Sequence, residues 1–325
     1  QREYDLKNLE NAIMMKKEIN MADIYDYNEL ISLFTPVKII TEIVKKFNNK
    51  SEIEFNYKTN KLRFYFFTTD FINMTDILIK AIKAFTFIEM LGFTNKNIRI
   101  NYSPVKFQKS LPSYDIIGVN TVNSGFTTFA MEPYISIFRE EESDKVLIHE
   151  LVHYLKLDFV TRDNTFIHNK IFNEVNITEI EYVNFFETYT ESIGVIFNSI
   201  FNCILTKTNI NNYFDMELKY MEDTVLNLLE HSNISKIEDL FKKGHSNILK
   251  QKTSVLSYYI LKYGLLLNLD KLLDNYFPKK KWFNVDVLRL YNMSKKSLIK
   301  KGLKHNKINI NKSMRMTYNE LNINY

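Results

Sequence analysis

Apolar residues recur at three- to four-residue spacing near the start of the chain: Leu30, Ile31, Phe34, Val37, Ile40, Ile43 and Val44. That spacing predicts helices over residues 5–50, with Pro36 marking a break or a start. The period then shortens to two. Glu52–Tyr57 and Lys61–Phe67 alternate, or carry β-rich side chains, around Lys58-Thr59-Asn60, the pattern of a hairpin. Asp76–Leu91 returns to helical spacing and stops at Gly92, a residue suited to the left-handed turn that ends helices. Strands are expected at Asn97–Tyr102, Asp115–Val119, Gly125–Ala130 and Tyr134–Phe138. Beyond Glu140 the helical period persists to about residue 304, with no repeat and no flexible linker. The pattern therefore predicts an α+β subdomain over 1–140, with N-terminal helices and a sheet, and a helical subdomain over 141–325.

Composition adds limits. The 325 residues are 45% apolar and 25% charged, with 25 Phe and 20 Tyr, which supplies a core and argues against wholesale disorder. No apolar run approaches the roughly 18 residues of a membrane helix. The best stretch, Val195–Leu205, is interrupted by Asn198 and Asn202, so no membrane span is expected. Gln1-Arg2-Glu3-Tyr4-Asp5 lacks the charged-then-apolar pattern of a signal peptide. Cys203 is the single cysteine, which excludes an internal disulfide and a four-cysteine zinc site. An intracellular home, cytoplasmic in the host or source cell, is the default expectation; a virion or secreted protein without disulfides is also compatible. The 37 Asn and 36 Lys against 7 Arg and 5 Ala follow A/T-rich codons, which points to a large DNA virus, a protist or a low-GC bacterium.

Net charge is +5, but Lys279–Arg315 alone carries 12 Lys and Arg against Asp286. The segment reads either as a solvated helix face with a basic tail or as a dock for an acidic partner. No nucleic-acid-binding signature accompanies it, so nucleic acid is not expected as a partner.

The chemistry concentrates just past residue 140. Leu147-Ile148-His149-Glu150-Leu151-Val152-His153-Tyr154-Leu155 contains His-Glu-x-x-His on an expected helix, with Ser143 as N-cap and Asp144 in the first turn. At about 100° per residue, His153 lies about 40° from His149, and both imidazoles can reach a single zinc ion. The apolar residues Leu147, Ile148, Leu151, Val152 and Leu155 fall on the opposite side. Chance produces the motif in roughly one chain in 130 of this composition, and the flanking phase favours a metal helix over two bystander surface histidines.

Zinc needs a third protein ligand and keeps a position open for water. The extended pattern with Gly and a third His is absent, since those positions hold Lys156 and Phe159. A carboxylate from a later helix is the expected ligand. Asn184–Gly194 offers Glu187 and Glu191 one turn apart, with Gly194 on the same face and Phe185, Tyr189, Ile193, Ile196 and Phe197 opposite. Two solvated glutamates on an exposed face are the alternative.

At these residues the chain resembles the gluzincin (thermolysin-like) clan of zinc metallopeptidases, over about 50 residues from Asp144 to Gly194. That clan's second motif reads Glu-x-x-Ser/Ala-Asp/Glu. The resemblance implies Glu187 as zinc ligand, Thr190 in the small-residue position and Glu191 as the partner of His149 outside the ligand shell. It also implies a zincin-like catalytic core, with a mixed, mostly antiparallel sheet and an active-site helix, followed by a mainly helical C-terminal half. One Zn²⁺ per chain, held by His149, His153 and Glu187, would serve peptide hydrolysis with Glu150 as general base. The substrate would be a peptide or protein, bound as an added strand along Ser124, Gly125, Phe126 and Thr127. An oxyanion donor is expected from His231, His245, Tyr258 or Tyr259. Two alternatives stand beside this reading: an inactive zincin-like scaffold, against which the intact Glu150 argues, and a host-directed effector protease with one protein substrate.

Overall fold

The period-two run after residue 50 folds as a two-residue hairpin of β1 (Ser51–Tyr57) and β2 (Asn60–Phe66). Lys58 takes the left-handed conformation, with φ 54°, that such tight hairpins need. The structure is a computed structural model and describes residues 32, 35–46, 51–67, 73–113, 116–158, 165–178, 184–279, 281–304 and 313–318. Most of the helical expectation over residues 5–34 lies outside them. The described helix there, α1 (Val37–Lys46), begins directly after Pro36. The chain is α+β, and its described residues fall into two compact units. One lies within Gln1–Gln108 and Asn123–Tyr154, the other within Lys109–Val122 and Leu155–Tyr325.

In the first unit a five-stranded sheet runs in the order β1-β2-β3-β5-β4, with β3 at Asn97–Val105, β4 at Gly125–Thr127 and β5 at Tyr134–Arg139. The expected mostly antiparallel sheet is corrected here. β1–β2 and β4–β5 are antiparallel, but β2–β3 and β3–β5 are parallel. The reason is connectivity: α2 (Met74–Met90) follows β2 and returns the chain so that β3 runs in the same direction. Alternation buries Leu62, Phe64 and Phe66 on β2, Ile98 and Ile100 on β3, and Ile135 and Ile137 on β5. Ile39, Ile40 and Ile43 of α1 pack with Phe67, Val105, Phe126 and Phe138.

The same unit holds α4 (Ser143–Tyr154), so the boundary expected at residue 140 falls inside it. Val146, Leu147, Ile148, Leu151 and Val152 are fully or nearly buried. Ser143 is the first helical residue rather than its cap; Glu142, at φ 63°, precedes it. The N-terminal turn is fixed by buried charge. Lys80 Nζ lies 2.7 Å from Asp144 Oδ1 and 2.5 Å from Asp76 Oδ1, and Lys83 pairs with the other Asp144 oxygen. Burial would raise the Asp144 pKa, but the attraction of Lys80 and Lys83 overrides it and leaves the carboxyl well below its usual range.

In the second unit the expected strand Asp115–Val119 is corrected over residues 116–119; Asp115 lies outside the described residues. Ile117 makes an isolated parallel bridge to Gln251 and the chain then turns into the short helix α3 (Val119–Val122). Among the described residues no strand lies beside this β-rich run, which gains a bridge and not a ladder. The main helices are α5 (Thr165–Glu174), α6 (Phe185–Thr206), α7 (Ile210–His231) and α11 (Asn284–Lys301), with α8 (Ile237–Leu240), α9 (Lys262–Leu266) and α10 (Leu269–Tyr276) between them. A π-helical turn, Leu256–Leu261, leads into α9. Gly264 lets α9 meet α11, because a Cβ there would stand 2.4 Å from Ser294 Oγ. Residues 313–318 are tied in by Tyr259 and Lys262, which donate to the Met314 and Met316 carbonyls at 2.6 Å each, and by Thr317 donating to Glu217 at 2.8 Å.

Candidate metal and catalytic site

Helix α4 carries His149, Glu150 and His153, and all three are buried, at 7%, 4% and 6% exposure. The one-turn spacing places the two imidazole Nε2 atoms 3.2 Å apart, with ring centroids 4.9 Å apart. Tetrahedral zinc with Zn–N bonds of about 2.05 Å requires donor nitrogens about 3.3 Å apart, so this pair fits one ion. Two imidazoles sharing one hydrogen bond would also reach this distance, which leaves the donor chemistry to decide. His149 and His153 thus offer two metal donors from one helix, while Glu187, the third donor of the sequence reading, belongs to the second unit.

Glu150 is reached by the edge of the sheet. β4 is the last strand in the order, pairs with β5 on one side and has no further strand among the described residues on the other. Phe126 points into the cluster around α1, while Gly125 and Thr127, two residues apart, share the opposite face. On that face Thr127 Oγ1 lies 2.8 Å from Glu150 Oε2 and 3.0 Å from the Glu150 carbonyl. A Cβ on Gly125 would stand 2.8 Å from Val146 Cγ1, 2.8 Å from the Ser136 carbonyl and 3.2 Å from Glu150 Oε1. Glycine is the residue that lets strand and helix approach this closely. Ser124, just before the strand, is buried.

The second unit holds the other residues of the sequence reading. Glu187 lies half-buried in the first turn of α6. Glu191 is 1% exposed, which is not a solvated face, and its Oε1 lies 3.5 Å from Lys262 Nζ, also 1% exposed. Thr190 donates to Asp158 Oδ2 at 3.0 Å. Of the oxyanion candidates, Tyr259 gives its one hydroxyl proton to Met314, while Tyr258 is half-buried on the π-helical turn. His231 ends α7, with Nε2 buried and without a hydrogen-bond partner among the described residues. His245 has Nε2 3.9 Å from Asp239 and Nδ1 accepting from the Asn247 N–H.

Two contacts escape sequence reading. Lys262, 71 positions after Glu191, carries no local signal of its partner. The Thr127 contact had a faint one, a small residue two positions earlier on the same strand face. The basic segment is partly neutralised within its own unit: Lys279 pairs with Asp286 at 3.0 Å, Lys295 with Glu174 at 2.7 Å and Lys301 with Glu222 at 2.7 Å. No helix among the described residues is long and apolar enough to cross a membrane.

The fold and the motif thus define an α+β protein with a buried His-Glu-x-x-His helix laid against the edge of a mixed sheet. No protein-family model and no solved structure matches the chain. It is similar to "Uncharacterized protein R210" of Acanthamoeba polyphaga mimivirus, 28% identical over 159 residues, which are 45% of this chain and 38% of that protein. The match thus spans well under half of the viral protein's length.

Proposed function

We propose that the protein is a zinc-dependent metallopeptidase of gluzincin type, with a zincin-like core formed by the sheet and α4. The observation that carries this reading is the buried pair His149 and His153, with nitrogens 3.2 Å apart on the helix that also presents Glu150. Glu187 is the third ligand in this reading, and Glu191, oriented by Lys262, supports His149 from outside the ligand shell. A carboxylate in that position fixes the imidazole tautomer and raises its basicity. Zinc, when bound, supplies Lewis-acid polarisation of the scissile carbonyl and acidifies a water.

The chain's own groups do the remaining work. Glu150 accepts the water's proton on its carboxylate and delivers it to the leaving nitrogen as the C–N bond breaks. The side of β4 that bears no strand among the described residues receives an extended peptide substrate as an added strand. Viral origin fits both the mimivirus relative and the A/T-rich residue usage, and an intracellular site of action goes with the reading.

Metal analysis tests the donor set. Purified protein should hold one zinc per chain, and His149→Ala, His153→Ala or Glu187→Ala should each lose most of it. Glu191→Gln should weaken zinc about 10- to 100-fold in a chelator competition, and Glu187→Gln more. The reverse order would exchange the roles of the two carboxylates. Full zinc in Glu187→Ala would remove that residue from the site.

A further inference from the structure

We infer that Thr127 is a positioning residue that acts through Glu150, its hydroxyl holding the carboxylate in one orientation from the edge strand. This rests on the metallopeptidase reading of α4. Among the described residues, the Thr127 hydroxyl stands 2.8 Å from Glu150 Oε2 and 3.0 Å from the Glu150 carbonyl. One proton serves one acceptor well, and a carboxylate is the stronger of the two, so the bond goes to the side chain. A glutamate has three side-chain torsions, and a general base works only when its oxygen is within hydrogen-bond reach of the proton it takes.

The strand is shaped around this contact. Gly125, on the same face, leaves the other carboxylate oxygen 3.2 Å from where a Cβ would be, a tight contact, and a larger residue would clash harder with the Ser136 carbonyl and Val146, both 2.8 Å away. Phe126, between them, is anchored in the opposite core and fixes the pleat that aims Thr127. The edge that would carry the substrate backbone therefore also carries the group that orients the base. Displacement of β4 would disturb both together.

Thr127→Val tests the inference, because valine keeps the shape and β-branching of threonine and removes only the hydroxyl. With a degenerate library of internally quenched peptides and zinc-loaded protein, Thr127→Val should lower kcat about 10- to 100-fold. KM, zinc content and melting temperature should hold, and Thr127→Ser should restore most of the rate. A double-mutant cycle separates positioning from mere packing. In a Glu150→Gln background, Thr127→Val should cost less than about two-fold.

The same cycle run on acetohydroxamate binding to zinc-loaded protein, by calorimetry, gives a readout independent of turnover, since a hydroxamate bound there would hydrogen-bond to the carboxylate that Thr127 orients. Equal losses in both backgrounds would overturn the inference in favour of a purely structural Thr127. So would a Thr127→Val enzyme within two-fold of wild type while Glu150→Gln is inactive; the metallopeptidase reading would survive that result. Wild-type turnover in Glu150→Gln would instead overturn the reading itself.

Discussion

Glu150→Gln should lose peptide cleavage by about 10²- to 10⁴-fold while keeping its zinc and its melting temperature. The amide is nearly isosteric with the carboxylate, but it cannot take a proton from water and hand it on. In the proposed site ligation falls to His149 and His153 on the same helix and does not require Glu150. Thr127 can still donate to the amide oxygen, so the contact with β4 and the packing around Gly125 are retained. Terminal-labelling proteomics on wild type against Glu150→Gln would read the loss without knowledge of the substrate. New termini produced equally by both proteins would end the general-base assignment. Loss of zinc in the variant would show instead that Glu150 belongs to the metal shell.

Asp144→Asn should destabilise the first unit by about 3–5 kcal/mol, because it leaves Lys80 and Lys83 buried without their shared counter-charge. Both lysines are almost wholly buried, at 2% and 3% exposure, and Asp76 also pairs with Lys80. The damage reaches the site, since Asp144 lies one and a half turns before His149 on α4. The pH dependence follows from the lowered Asp144 pKa. A carboxyl whose folded value lies below its unfolded one contributes stability that is complete above the unfolded value, about 4, and is lost as pH falls through the folded value. Wild type should therefore weaken on acidification below about pH 4, and the variant should show that part of the slope removed. Urea unfolding followed by circular dichroism at pH 7 and across the acid range measures both effects. A loss under about 1 kcal/mol at pH 7 would mean that Asp76 and solvent compensate both lysines.

The sequence by itself determined what depends on neighbours within a turn or a strand. His149 and His153 four apart, with apolar residues opposite, specify a buried helix face bearing two imidazoles wherever that helix packs. The alternation at 51–66 with a two-residue turn specifies the hairpin, and Gly125-Phe126-Thr127 is legible as one of two strands preceding the helix. Tertiary structure decided what depends on distant segments meeting. The parallel pairing of β3 with β2 and β5 follows from the path of α2, not from any pattern within the strands. Asp115–Val119 has strand-like residues, yet among its described residues 116–119 the strand pairing is a single bridge, Ile117 to Gln251. The burial of Glu191 against Lys262, of Asp144 between Lys80 and Lys83, and the reach of Thr127 to Glu150 join residues 71, 61 to 64 and 23 positions apart. Helical and strand periodicity is a local property and is written in local order. A charge or hydroxyl, by contrast, acquires its role from whichever group the fold sets beside it in low dielectric, and no spacing rule encodes that.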